Sequence, residues 1–105
     1  MKGCKNFNDL IPIYKLERFE ILNFSQTYIS DISFFEKIKN IKELYLDDCQ
    51  NIKDFIPISK LERLEILNVS RTNISDISFL EKNKNIKELN LKYCKNIKDF
   101  ILYQN

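Results

Sequence analysis

Residues 11–55 and 56–100 are one 45-residue unit written twice. Aligned without a gap, they agree at 34 of 45 positions and share the text I-P-I-x-K-L-E-R-x-E-I-L-N-x-S-x-T-x-I-S-D-I-S-F-x-E-K-x-K-N-I-K-E-L-x-L-x-x-C-x-N-I-K-D-F. A fixed long period is the mark of stacked supersecondary units, none of which can bury its apolar face alone. Neighbour packs on neighbour, and the exposed faces add up to an extended surface of the kind used for binding. The duplication therefore constrains the fold, and the positions where the copies disagree are the first place to look for function.

Each unit divides again into two similar halves. The apolar frame of the first copy is Phe19-x-x-Leu22-x-Phe24-x-x-Thr27-x-Ile29, then Ile41-x-x-Leu44-x-Leu46-x-x-Cys49-x-x-Ile52. The second copy gives Leu64-x-x-Leu67-x-Val69-x-x-Thr72-x-Ile74, then Ile86-x-x-Leu89-x-Leu91-x-x-Cys94-x-x-Ile97. Repeats thus begin at 19, 41, 64 and 86. The L-x-L centre has the period of two expected of a short strand with one buried face. The segments that follow are spaced for a turn or short helix leading to the next strand. The repeat resembles that of the leucine-rich-repeat family, L-x-x-L-x-L-x-x-N/C-x-L over 20–29 residues. The T-x-I-S-D-I-S stretch is similar to the short repeats of internalins and of the leucine-rich-repeat regulator of type 1 protein phosphatase. The C-x-N-I-K-D half is closer to the cysteine-containing repeats of ubiquitin-ligase substrate adaptors. The resemblance implies an α/β leucine-rich-repeat solenoid: a right-handed coil with about four parallel strands lining a concave face. At the ninth repeat position, where the family places Asn, stand Thr27, Cys49, Thr72 and Cys94, so the family's Asn ladder is not expected.

The repeat register makes residues 1–105 a single domain, with residues 1–18 a stub of a further repeat in which Cys4, Phe7 and Leu10 align with Cys49, Ile52 and Phe55. At the other end, Phe100–Tyr103 begins another convex segment. The register leaves strand edges unpaired at both ends, and such edges invite pairing. Self-assembly as a dimer or stack is therefore the alternative to a protein-binding role.

Composition narrows the rest. The net charge is +2 with both signs interspersed, which makes no case for nucleic acid or membrane as partner. No apolar run approaches the length of a transmembrane helix, and the N-terminus shows no uninterrupted apolar core of a signal peptide. A cytoplasmic, reducing location is expected. The chain has no His and one Gly. Heavy use of Lys, Asn and Ile fits an AT-rich coding sequence, as of a virus, protist or bacterium. Cys4, Cys49 and Cys94 fall one unit apart. On strands about 4.8 Å apart, neighbouring cysteines would be separated by about 9.6 Å, beyond disulfide reach, so buried core thiols are expected and neither metal nor cofactor. Serine and cysteine occur without a neighbouring base, and Asp47 and Asp48 diverge at the end of a strand, so no set of converging acid–base groups can be assembled. The chain reads as a non-enzyme. The lysines at 82, 84, 87, 92, 95 and 98 are interrupted by Glu81, Glu88 and Asp99, as on a solvated face guarding a sheet edge. Asn23, Asn68 and Asn73 lie in glycosylation sequons, and Asn23 and Asn68 read as ordinary polar residues of the strand face.

The mismatches between the copies are unevenly placed. Six fall among the ten outward positions of the strands and their ends: Gln26/Arg71, Tyr28/Asn73, Tyr45/Asn90, Asp47/Lys92, Asp48/Tyr93 and Gln50/Lys95. Only five fall among the other 35 pairs, three of them apolar swaps. Convex residues are exposed too, yet Ser30, Asp31, Glu36, Lys37, Lys39 and Asn40 all match their copies. Selective change on one face points to recognition of a partner protein, since exposed aromatic and charged residues give interfaces their specificity. The partner-binding residues expected are Tyr28, Tyr45, Asp47, Asp48, Arg71, Asn90, Lys92, Tyr93 and Lys95. A competitive decoy or an adaptor would act through such a face without chemistry.

Overall fold

The computed structural model describes residues 18–97, and within them the coil follows the repeat. Strands β1 (Ile21–Asn23), β2 (Glu43–Tyr45), β3 (Ile66–Asn68) and β4 (Glu88–Asn90) form one parallel sheet in chain order. Register is set by the leucine of each L-x-L centre: Leu22 pairs with Leu44, Leu44 with Leu67 and Leu67 with Leu89. Parallel neighbours need a crossover. Here it is made by 3-10 turns at Ser33–Lys37, Ile56–Lys60 and Ser78–Lys82 on the opposite side. Among the described residues there is no α-helix, so the helical half of the α/β layer is 3-10 throughout. Aspartates set where the 3-10 turns begin. Asp31, Asp54 and Asp76 accept the backbone N–H groups of Ser33, Ile56 and Ser78 at 2.9, 3.0 and 2.9 Å. The bonds from Ser33 and Ser78 hold the Asp31 and Asp76 carboxyls below their ordinary range. A depressed folded-state pKa contributes stability above the unfolded value that fades as pH falls through the folded one.

The core is a single column of aliphatic and aromatic side chains between strand and 3-10 faces. Leu44, Leu46, Leu64, Leu67, Val69, Phe35 and Ile58 are all fully buried. In the first copy, Phe34 sits edge-on to both Phe24 and Phe35, with ring centroids 6.3 and 4.8 Å apart. Where the first copy has Phe24 and Phe35, the second has Val69 and Leu80, so two core positions changed size together. Leu89, expected in the core, is only half-buried. Its strand has a paired neighbour among the described residues on one side alone.

The ninth position carries a ladder in place of asparagine. Cys49 donates its thiol to Phe24 O at 2.9 Å, and Cys94 donates to Val69 O at 3.0 Å. Thr27 lies 3.6 Å from the Cys49 sulfur and Thr72 lies 3.8 Å from that of Cys94. The Thr72 hydroxyl also donates to Val69 O at 2.7 Å. Threonine and cysteine alternate here, each small enough for the turn, and Cys49, Thr72 and Cys94 give their hydrogens to strand-exit carbonyls. Cys49 and Cys94 are free thiols, and burial raises the pKa of Cys49. Cys94 is half-buried rather than buried, for the same reason as Leu89; Cys4 lies outside the described residues. Without denaturant, Cys94 is expected to react with a maleimide at least about tenfold faster than Cys49, since thiol reactivity follows thiolate fraction and access. Mass spectrometry of timed samples checks this, and equal rates would contradict the difference in burial between the two thiols.

One buried residue was not anticipated. Asn83 occupies the place of Ile38 in the other copy, 4% exposed. Its amide donates to Ile58 O and Leu61 O, both at 3.0 Å, while its Oδ1 has no partner. Both carbonyls also accept backbone bonds, from Leu61 N and Leu64 N. An orphaned buried acceptor is worth more than two redundant bonds. Asn83→Ile is therefore expected to raise stability by about 1 kcal/mol, seen as a higher urea midpoint at unchanged slope. A lower midpoint would show that the two carbonyl bonds dominate.

Candidate protein-binding surface

The strand face is built in rows, one residue per repeat. The third position supplies Ile21, Glu43, Ile66 and Glu88; the fifth supplies Asn23, Tyr45, Asn68 and Asn90. Three of the four fifth-position residues hold the local backbone. Asn23, Asn68 and Asn90 accept the N–H groups of Ser25, Ser70 and Lys92 through Oδ1, at 2.8, 3.0 and 3.0 Å. These are short Asx turns that bend the chain away from the strand. Asn90, expected at the partner interface, thus has a structural bond of its own, as do Asn23 and Asn68, which are more than plain surface polars. Tyr45 is the exception. It gives up the turn bond and donates its hydroxyl to Glu43 at 2.7 Å, a bond that raises its pKa.

Just past each strand the backbone is strained in the same place. Gln26, Asp48, Arg71 and Tyr93 have φ of 59, 64, 55 and 63°. Their N–H groups continue the ladder, Gln26 to Asp47 O, Asp48 to Ser70 O and Arg71 to Lys92 O. A left-handed turn position favours Gly, Asn or Asp, so Asp48 suits it, whereas residues such as Gln26, Arg71 and Tyr93 are destabilised there by about 1–2 kcal/mol. The chain uses Asn freely elsewhere, yet the eighth position holds Gln, Asp, Arg and Tyr. Backbone ease does not account for Gln26, Arg71 or Tyr93. No glycine marks the turns, which is why their geometry was not legible from sequence.

Most of the expected partner-binding residues gather along this line. Tyr28, Arg71, Lys92, Tyr93 and Lys95 are exposed; Tyr45, Asp47, Asp48 and Asn90 are half-buried. The Arg71 guanidinium lies 4.9 Å from the centroid of the Tyr93 ring, a cation–π contact between adjacent repeats. Asp47 accepts the Ser25 hydroxyl at 2.6 Å, and Gln50 donates to Asp48 at 3.3 Å. Acidic groups (Glu43, Asp47, Asp48) thus cluster around β2, and basic ones (Arg71, Lys92, Lys95) around the exits of β3 and β4. Among the described residues no cluster of His, Cys, Asp and Glu could hold a metal ion, and no helix is long and apolar enough to cross a membrane.

The parallel sheet, the 22/23-residue repeat and the 3-10 crossovers define a leucine-rich-repeat solenoid. The same fold is found in an internalin (inlF) of Listeria monocytogenes, with a TM-score of 0.70 and 24% identity over 79% of this chain and 24% of that one. Internalin C2 of the same species superposes with a TM-score of 0.71 and 29% identity, covering 79% of this chain and 36% of that one. A leucine-rich-repeat protein of Leptospira interrogans gives a TM-score of 0.58 at 14% identity, covering 85% of this chain and 33% of that one. The chain spans about a quarter to a third of the length of these solved proteins. No family model and no curated protein matches the sequence. The chain has the leucine-rich-repeat solenoid fold, with internalins among its structural neighbours.

Proposed function

We propose that the protein binds a partner protein through the strand face and the turns at the strand exits, and acts by occupying that partner's surface rather than by chemistry. The observation that carries this reading is the contrast between backbone demand and side-chain choice at the eighth position. Three of the four left-handed sites hold residues the turn disfavours, Gln26, Arg71 and Tyr93, and all four lie among the pairs that diverged after duplication. Tyr45, Tyr93 and Tyr28 serve as aromatic anchors. The acidic group around β2 and the basic group around β3 and β4 orient the partner and speed encounter more than they add affinity. Competitive blocking, as decoy or adaptor, needs nothing beyond such a surface. The free thiols of the ladder suit a reducing, cytoplasmic setting.

The test is selection of protein binders from a display library against the intact chain, followed by mapping of the tightest. Tyr45→Ala and Tyr93→Ala are each expected to weaken binding by about 1–3 kcal/mol, while Glu36→Ala and Lys37→Ala on the 3-10 side leave it unchanged. Calorimetry of each variant reads this directly. Sensitivity confined to the 3-10 side would place the functional face there instead.

A further inference from the structure

Two clefts open along the strand exits. One, of about 320 Å³, is lined by Gln26, Thr27, Tyr28, Asp48, Gln50 and Asn51. The other, of about 430 Å³, is lined by Arg71, Thr72, Asn73, Tyr93, Lys95 and Asn96, and by Gln50, which the two clefts share. Adding 45 to each residue number of the first cleft gives the six main residues of the second. The duplication therefore copied a complete cleft. Four of its six positions then changed (Gln26/Arg71, Tyr28/Asn73, Asp48/Tyr93 and Gln50/Lys95), against seven of the remaining 39 pairs. The two kept positions have structural duties. Thr27 and Thr72 stand in the ladder, and Asn51 braces the preceding repeat through Tyr28 O at 3.5 Å.

The changes gave the copies opposite chemistry. The first cleft has one carboxylate, Asp48, one aromatic, Tyr28, and no cation. The second has two cations, Arg71 and Lys95, with Arg71 held against Tyr93, and the side-chain amide of Asn96; the amides of Asn73 and Gln50 are given to Gln50 O at 2.7 Å and to Asp48 at 3.3 Å. No carboxylate lines it. Two cations around one space suit a carboxylate, and charge-assisted bonds of this kind are the strong ones. The first cleft suits a cationic side chain resting on Tyr28 and facing Asp48.

Resting on the protein-binding reading above, we infer that the two clefts read two side chains of one extended segment of the partner, a basic residue in the first and an acidic residue in the second. The clefts lie two repeats apart, about 9.6 Å at ordinary strand spacing. A polyproline II segment returns a side chain to the same face every three residues, about 9.3 Å along its axis. The segment recognised is therefore extended, with its basic and acidic residues three apart.

The probes are synthetic proline-rich octapeptides carrying one arginine and one glutamate three residues apart, in either order, and the same peptides with glutamine in place of glutamate. Each is titrated to millimolar concentration into isotope-labelled intact protein while amide resonances are followed. One order of the glutamate peptide is expected to shift Gln26 and Asp48 together with Arg71, Tyr93 and Lys95, along a single saturation curve. The glutamine peptide is expected to bind about tenfold more weakly. Arg71→Gln with Lys95→Gln, which installs the first copy's own residues at exposed positions, is expected to reproduce that loss at an unchanged melting temperature. Equal affinity for the glutamate and glutamine peptides, shifts in only one cleft, or no shifts at all would overturn the inference. So would tighter binding of a single-stranded oligonucleotide that is lost in the same double variant. Shifts confined to the surroundings of Tyr45 would overturn the cleft assignment while leaving binding by the strand face intact.

Discussion

Leu67→Ala is expected to destabilise the fold by about 2–5 kcal/mol, the range for a buried leucine that leaves a cavity. The Leu67 side chain is fully enclosed, and its strand is paired on both sides, with Leu44 and Leu89 as register partners. A domain of this size has about 5–15 kcal/mol to lose in all, so the variant should unfold at a clearly lower urea concentration. Leu44→Ala should behave alike, because Leu44 is equally buried. Leu89→Ala should lose at least about 1 kcal/mol less, in keeping with the apolar area it leaves exposed. Equal losses at all three positions would contradict the burial gradient along the sheet.

Phe35→Ala is expected to have a comparable effect, about 3–5 kcal/mol. Its ring is fully buried against Phe34, and with Phe24 it is among the largest side chains enclosed in the first copy. Phe35→Leu copies the residue that the second unit carries as Leu80 and is expected to lose about 1.5 kcal/mol or less, since volume is nearly kept. Adding Phe24→Val to Phe35→Leu transplants the second copy's pair into the first. Denaturation of the two single variants and the double variant gives the coupling between these positions directly. Strict additivity would mean that the sizes at Phe24/Val69 and Phe35/Leu80 changed independently.

The leucines and isoleucines of the repeat made the architecture legible because their spacing is a direct statement of which side chains face inward. Register, strand order and parallel pairing follow once Leu22, Leu44, Leu67 and Leu89 are set side by side. What could not be seen was anything decided by backbone torsion or by a hydrogen bond. The left-handed turn residues Gln26, Asp48, Arg71 and Tyr93 carry no glycine to announce them. Asn23 and Asn68 read as surface polars and Asn90 as a partner-binding residue, although the recurrence of asparagine three residues before the left-handed position was a signal that they hold the turn. Cys49 and Thr27 were placed in the core, but their thiol and hydroxyl bonds were not foreseen. Asn83 could have been found as the one mismatch that put a polar residue where the copy has an isoleucine. The expected binding residues were located by divergence alone. Four of the six divergent outward pairs turn out to line clefts rather than the flat of the sheet, which no linear pattern reveals.

Recognition through the strand face and the strand exits is tested by hydrogen–deuterium exchange of the chain with and without a binder selected against it. Protection is predicted at residues 20–28, 43–51, 65–73 and 88–96, with the 3-10 segments 31–40, 54–62 and 76–84 unchanged. Protection of the 3-10 segments alone, with the strand exits exchanging as in the free protein, would contradict it.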